Sequence, residues 1–344
     1  MKYISLFSGI EAASVAWEPL GWEPVAFSEI DALPCALLDA RFPDVPNLGD
    51  ITSIDWSSYR GRCDVVVGGS PCQSFSIAGS RKGLKGESGL MFEYIRAVRE
   101  IMPRYFVWEN VPGALTSENG EAFGQLLHEM DELGYGLAWR ILDAQFFGVA
   151  QRRRRLFLVG CFDNPERSFE ILFEQGGVRW DYPSNINKRK SLAANVQRCP
   201  EMGSYTMLVR CGCAGGGKGA LIQDDVSATL STTNVQVLFQ PREVICMADG
   251  NANAAIDDNL CGTLKVGGES PIIAYEEPPK YVVRKLMPVE FERLQGFPDG
   301  WTEIDINGKP ASDTARYKAL GNSMAVPVMR WIGERITAVD LGSD

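Results

Sequence analysis

The chain has 344 residues and a mass of 37.9 kDa, with 45% hydrophobic and 23% charged residues; these values exclude a disordered or fibrous protein and predict a main domain with a smaller companion. Lys and Arg number 34 against 44 Asp and Glu, and the resulting net charge of −10 is the reverse of the basic surface by which nucleic-acid binders are usually read. A single histidine, His128, leaves any chemistry to Cys, Asp, Glu, Lys, Arg and backbone groups unless that one imidazole carries it.

Short apolar runs alternate with amphipathic stretches from the start of the chain. A predicted strand at 3–7 runs into Phe7-Ser8-Gly9-Ile10-Glu11, which opens a helix at 12–20. A glycine at that turn lets the backbone approach a ligand, and the helix N-terminus offers unpaired N–H groups. With one glycine and an acid at Glu11, the turn disfavours a pyrophosphate and favours a cationic or phosphate-free ligand. The next strand, 25–28, ends at Glu29, 20 residues after Gly9, the usual distance for an acid that grips ribose hydroxyls. After a helix at 32–41, Asp50 follows Leu48-Gly49 and could accept from an exocyclic amine.

The strand at 64–67 leads into Gly68-Gly69-Ser70-Pro71-Cys72, a turn that would project a thiol at the carboxyl end of a buried strand. A helix at 90–102 precedes the strand at 105–108, and Glu109-Asn110-Val111 follows that aromatic, apolar run; desolvation there raises a carboxyl pKa. A helix at 121–133 carries His128, which reads as a bystander. Gln151-Arg152-Arg153-Arg154-Arg155 enters the strand at 156–160. The two-residue period puts Gln151, Arg153 and Arg155 on one face and Arg152 and Arg154 on the other. The alternation predicts an α/β fold, a doubly wound, mostly parallel sheet whose ligands bind beyond the strands' carboxyl ends.

From about 164 to 280, Gly, Asn, Ser and Thr rise and helical periodicity fades, which predicts a small β-rich domain with a faint internal duplication around Asp224-Asp225 and Asp257-Asp258. Three segments result: 1–163 as the catalytic and cofactor-binding domain, 164–280 as the insert, and 281–344 returning to the first. That last segment contains predicted helices at 288–294 and 326–339. Charge divides unevenly: residues 1–150 hold 11 basic and 20 acidic groups, whereas 151–190 hold 9 and 5, so positive charge gathers where the two textures meet. Nine cysteines without a regular framework read as reduced thiols, and the spacing of Cys199, Cys211 and Cys213 matches no common zinc knuckle. No apolar run approaches the roughly 18 residues of a membrane span, and a cytoplasmic, metal-free protein is expected.

Taken in order, Phe7-Ser8-Gly9, Gly69-Ser70-Pro71-Cys72-Gln73, Glu109-Asn110-Val111, Gln151-x-Arg153-x-Arg155, Arg293-Leu294-Gln295-Gly296-Phe297-Pro298 and Gly321-Asn322-Ser323-Met324 resemble the motif set of DNA (cytosine-5) methyltransferases of the prokaryotic or phage type. The resemblance covers nearly the whole chain outside 164–280; Met324, where the family often has Val, and the all-arginine block are small departures. It implies a Rossmann-like fold and S-adenosylmethionine as cofactor. Phe7, Gly9, Ile10 and Glu11 would line the methionine part, Glu29 the ribose and Asp50 the adenine amine; Ile30, Ile51, Pro71, Asn322 and Ser323 would complete the pocket.

The resemblance further implies that Cys72 adds to C6 of a flipped-out cytosine, that Glu109 bonds N3 and the exocyclic amine, and that Arg155, supported by Arg153, binds O2. It makes 74–89 a lid over the target and 164–280 a recognition domain facing the DNA major groove. Double-stranded DNA is then the expected partner, a restriction endonuclease a companion, and the monomer the expected state. Other readings are the same chemistry on RNA, a silent DNA-binding protein, and a dinucleotide oxidoreductase, the last opposed by the missing second and third glycines.

Overall fold

The computed structural model describes residues 1–70, 89–162, 164–173, 280–306 and 308–342, and strands at 205–211, 218–224, 237–242, 245–247, 256–258 and 272–274. In the first segment β1 (Lys2–Leu6), β2 (Glu23–Ser28), β3 (Val65–Gly68), β4 (Tyr105–Asn110), β5 (Tyr135–Asp143) and β6 (Arg154–Phe162) form one sheet in the order β2-β1-β3-β4-β6-β5. β1 to β4 run parallel, whereas β6 is antiparallel to both its neighbours. The reversal places the start of β6 beside the carboxyl end of β4, with Asn110 opposite Leu156 and Glu109 opposite Phe157.

Alternate strand residues leave the sheet on opposite faces, as the pleat requires. Tyr3, Val65, Val67, Tyr105, Val107, Phe157 and Val159 belong to one buried cluster; Ile4, Val66, Phe106, Trp108, Leu156 and Leu158 belong to the other. The second face is covered by α3 (Gly89–Ile101) and α4 (Glu121–Glu132), whose Tyr94, Ile95, Val98, Leu126 and Met130 are buried against it. On the first face lie α1 (Ala12–Trp17), α2 (Ala32–Arg41) and the C-terminal helices α6 (Pro288–Gln295), α7 (Asp313–Asn322) and α8 (Val326–Leu341). The sheet is therefore doubly wound and mostly parallel, as expected. The C-terminal segment completes its first layer: Trp17 donates to the Met329 carbonyl at 2.8 Å, and a Cβ at Gly333 would fall 2.5 Å from the Trp17 ring.

The structure corrects the predicted element set in four places. Strand β5, whose alternation is blurred by Gly136 and Arg140, was not predicted, and neither was α7, which is weakly amphipathic. The helix predicted at 12–20 stops at Trp17 and continues as a 3-10 turn through Pro19. Residues 164–173, grouped by texture with the insert, instead form α5 (Pro165–Leu172) on the main sheet. Ile171 and Leu172 are fully buried in the first-face cluster, and Arg335 Nε donates to the Ile171 carbonyl at 2.9 Å.

Between Phe173 and Leu286 the described strands are β7 (Tyr205–Cys211), β8 (Lys218–Asp224), β9 (Val237–Arg242), β10 (Ile245–Met247), β11 (Ile256–Asp258), β12 (Ile272–Ala274) and β13 (Lys280–Lys285). They pair in two sheets, β13-β9-β7-β8 and β11-β10-β12, entirely antiparallel, and so agree with the β-rich texture read there. Cys199 and Cys213 lie outside the described residues.

Gly160 tests the sheet packing. It faces Phe106 across β4 and β6, and an added Cβ would fall 2.0 Å from that ring, inside a layer with no slack. Gly160→Ala is expected to destabilise the fold by about 1–3 kcal/mol, the usual range for overpacking. A denaturation midpoint equal to that of the wild type would overturn this.

Candidate active site

Four strand ends meet at the carboxyl edge of the sheet, and a cavity of about 440 Å³ opens between them. After β1 the backbone coils tightly: Phe7, Gly9 and Glu11 have left-handed φ values of 52°, 56° and 60°. For the two non-glycine residues this conformation costs about 1–2 kcal/mol each, so the surroundings must hold it. They do so on both sides. Gly9 N–H donates to Glu29 Oε2 at 2.7 Å, and Glu11 caps α1 by accepting from Ser14 N–H at 3.1 Å. The other Glu29 oxygen accepts from the N–H groups of Ile30 and Asp31 at 2.7 and 2.8 Å, which fixes this carboxylate at the end of β2.

Glu11 is fully buried yet lines the cavity, and burial pushes its carboxyl pKa up against the opposing hydrogen bonds of Ser14 and Ser5. Asp50 behaves in the opposite way. It is exposed, and hydrogen bonds from the Thr52 N–H and hydroxyl, at 2.9 and 2.8 Å, lower its pKa.

At the other end of the cavity Glu109 projects from β4, 8% exposed. Its Oε1 lies 3.1 Å from Arg155 Nε. Burial raises the Glu109 pKa, and the charges of Arg155 and Arg153 oppose that rise without cancelling it. Arg153 is buried beneath, where its Nη2 donates to the carbonyls of Gly321 and Ser323 at 3.1 and 2.6 Å. This guanidinium ties the C-terminal segment to the sheet and brings Asn322 and Ser323 to the cavity wall. Gln151 and Arg153 are buried while Arg152 and Arg154 are exposed, the alternation expected from the strand period. Gly69 keeps the approach open, since a Cβ there would meet the Glu109 carbonyl and Oε2 at 3.0 Å each.

Pro71 and Cys72, with the predicted lid 74–89 apart from Gly89, lie outside the described residues. The chain leading to them is anchored: Trp108 Nε1 donates to Ser70 Oγ and Asn110 Nδ2 to the Ser70 carbonyl, both at 3.2 Å.

The cavity wall thus gathers Phe7, Gly9, Glu11, Glu29, Ile30, Asp50, Ile51, Glu109, Arg153, Arg155, Asn322 and Ser323. Ile10 is a correction. Its side chain is fully buried in the core and its carbonyl accepts from Trp301 Nε1 at 2.8 Å, because the left-handed turns on either side rotate it away from the cavity. The sequence reading missed Asp31, Ser70 and Leu90 in the wall and the Tyr3 and Ser14 hydroxyls behind Glu11. An alcohol three residues after an acid at a helix start was the available signal for Ser14.

The doubly wound sheet with its cleft at the strands' carboxyl ends is a Rossmann-like fold, and a solved structure of similar fold, Dnmt2 methyltransferase of S. pombe, superposes with a TM-score of 0.61 at 13% identity over 99% of both chains. A family model described as C-5 cytosine-specific DNA methylase matches residues 1–338, and the chain belongs to that family of DNA (cytosine-5) methyltransferases. Among curated relatives, the Type II methyltransferase M2.BsuMI of Bacillus subtilis is 31% identical over 98% of this chain and 75% of its own length. A protein of Escherichia phage P1, named DNA N-6-adenine-methyltransferase, is 33% identical over 97% of this chain; the chain spans 61% of that relative's length. Among the described residues no helix is long and apolar enough to cross a membrane.

Proposed function

We propose that the protein transfers a methyl group from S-adenosylmethionine to C5 of a flipped-out cytosine in a specific sequence of double-stranded DNA, through a covalent bond between Cys72 and C6. One observation carries this reading: a single cavity joins an acid-rich end, Glu11 and Glu29, to the Glu109–Arg155 pair. The donor set fits the cofactor. The wall offers carboxylates and a single-glycine turn in place of a phosphate cradle, and Glu11 is a buried acid facing the cavity, suited to a cationic ligand.

When bound, S-adenosylmethionine supplies an electrophilic methyl group on a sulfonium. The chain's own residues do the rest. Glu29, held by three backbone N–H groups, takes the ribose hydroxyls, and Asp50 takes the adenine amine. The Cys72 thiolate adds its electron pair to C6, and the C5–C6 double-bond electrons become available at C5. Glu109, inclined by burial to keep a proton, donates to N3 and so accommodates the charge that the addition drives there; Arg155, paired with Glu109, meets O2, and Arg153 supports it by holding the C-terminal wall in place. Once C5 carries the methyl group, a base takes the C5 proton, that C–H pair re-forms the double bond, and Cys72 leaves with the S–C6 pair.

Target reading falls to the insert beyond Phe173, and the protein acts as a monomer in the cytoplasm without a metal ion. A restriction endonuclease of the same specificity is its companion.

Duplex DNA incubated with the protein and labelled S-adenosylmethionine, then digested to nucleosides and separated by mass, is expected to yield 5-methylcytosine. Label on adenine N6 would overturn the reading in favour of the activity named for the phage P1 relative, and label on RNA alone would overturn the choice of DNA. Bisulfite sequencing of a host expressing the protein then gives the target sequence.

A further inference from the structure

Glu11 is a buried acid whose hydrogen-bond partners come from its own neighbourhood. Ser14 donates to its Oε2 through both the backbone N–H and the hydroxyl, that hydroxyl lies 2.5 Å from Tyr3 OH, and Ser5 adds a further hydrogen bond. All of these groups are neutral, and none of the interactions described for Glu11 involves a Lys or Arg side chain. The other charged groups of the wall are already matched or are acids themselves. Glu29 is held by backbone N–H groups, Asp31 pairs with Lys318 at 2.9 Å, Asp50 is held by Thr52, and Glu109 lies against Arg155. A carboxylate taken out of water without a cation keeps its proton, and a cation brought beside it removes the reason to do so.

We propose that Glu11 is the charge-matching group of the cofactor cavity: protonated when the cavity is empty, it releases that proton into solvent as a cationic cofactor enters, leaving a carboxylate beside the bound cation. This rests on the S-adenosylmethionine reading above and adds a linkage to it. The Ser14 hydroxyl, itself held by Tyr3 OH, acts as a positioning group, because it fixes Oε2 at the helix start. The raised pKa of Glu11 agrees with this, and gives the sign: affinity for the cofactor rises with pH across the range in which empty Glu11 still holds its proton, by up to about tenfold per pH unit, and levels off above it.

The test is isothermal titration of the full chain with S-adenosylmethionine at about pH 6, where the cofactor's own amino group stays protonated, in buffers of different ionisation enthalpy. The wild type is expected to release protons as the cofactor binds, read as the slope of binding heat against buffer enthalpy. Glu11→Gln is expected to bind about tenfold more weakly with no such slope. Binding with buffer-independent heat overturns the inference alone, and so does a slope that survives in Glu11→Gln. Absence of any binding by the folded wild type overturns the cofactor reading and the inference with it. The wild-type buffer series decides the matter even if the variant does not fold.

Discussion

Replacing Cys72 by alanine is expected to abolish methyl transfer, with kcat falling by about 10⁴-fold or more, equivalent to about 5 kcal/mol of barrier. The size follows from the chemistry of the acceptor. Carbon C5 of cytosine is a poor nucleophile, and in this scheme it gains its reactivity only while sulfur is bonded to C6. Binding of cofactor and DNA should survive, because the cavity walls and the Ser70 anchor do not depend on the thiol. Substituting 5-fluorocytosine at the target provides the complementary result. With fluorine in place of the C5 proton, the last elimination has no proton to remove, and the wild type should be captured as a covalent DNA adduct that withstands denaturation. Cys72→Ala should form none. Transfer that persists in Cys72→Ala, or a wild type that leaves no adduct, would show that sulfur addition is not the route.

Glu109→Gln is expected to lower kcat by roughly 10²–10³-fold while leaving cofactor affinity within about twofold, the scale of a lost proton donor and electrostatic partner at a desolvated centre. The pH profile distinguishes a proton-holding role from a purely structural one. Burial lifts the Glu109 pKa and the two arginines only partly oppose it, so the carboxyl holds its proton above the ordinary carboxylate range and gives it up as pH rises. Wild-type kcat should therefore fall on the alkaline side through the Glu109 ionisation. The glutamine side chain does not titrate, and the variant's alkaline limb should vanish. A variant that retains the limb, or more than a tenth of kcat, removes Glu109 from proton duty.

Much of the site was legible because its residues occupy positions that local chemistry marks. Gly9 and Glu11 follow the first strand, Glu29 ends the second, and Glu109 closes an aromatic run; each lies in the cavity wall. The alternation in Gln151–Arg155 was legible for the same reason, since a strand's two-residue period acts over a few bonds. Ile10 misled because membership in a motif says nothing about which way a side chain turns. Left-handed φ values at Gly9 and Glu11 send it into the core, and those values depend on contacts with Glu29 and Ser14. The limit at 163–164 was read too early because composition changes there, while the apolar pair Ile171–Leu172 has its partners in β5 and α8.

By itself the sequence determined the fold class, the order of the motifs and the types of residue available for chemistry, because these rest on local periodicity, turn preference and functional-group identity. Only the tertiary structure decided which of those groups meet. The antiparallel turn of β6 sets Arg155 against Glu109, Arg153 draws the chain at Gly321 and Ser323 back to the first sheet, and Glu11 is buried in the cavity wall against Ser14 and Ser5. Each of the first two contacts spans tens to hundreds of residues, and burial is a property of the packed molecule. The net charge of −10 conveys neither; it becomes informative once the acids of the first half are seen lining a cleft suited to a cation.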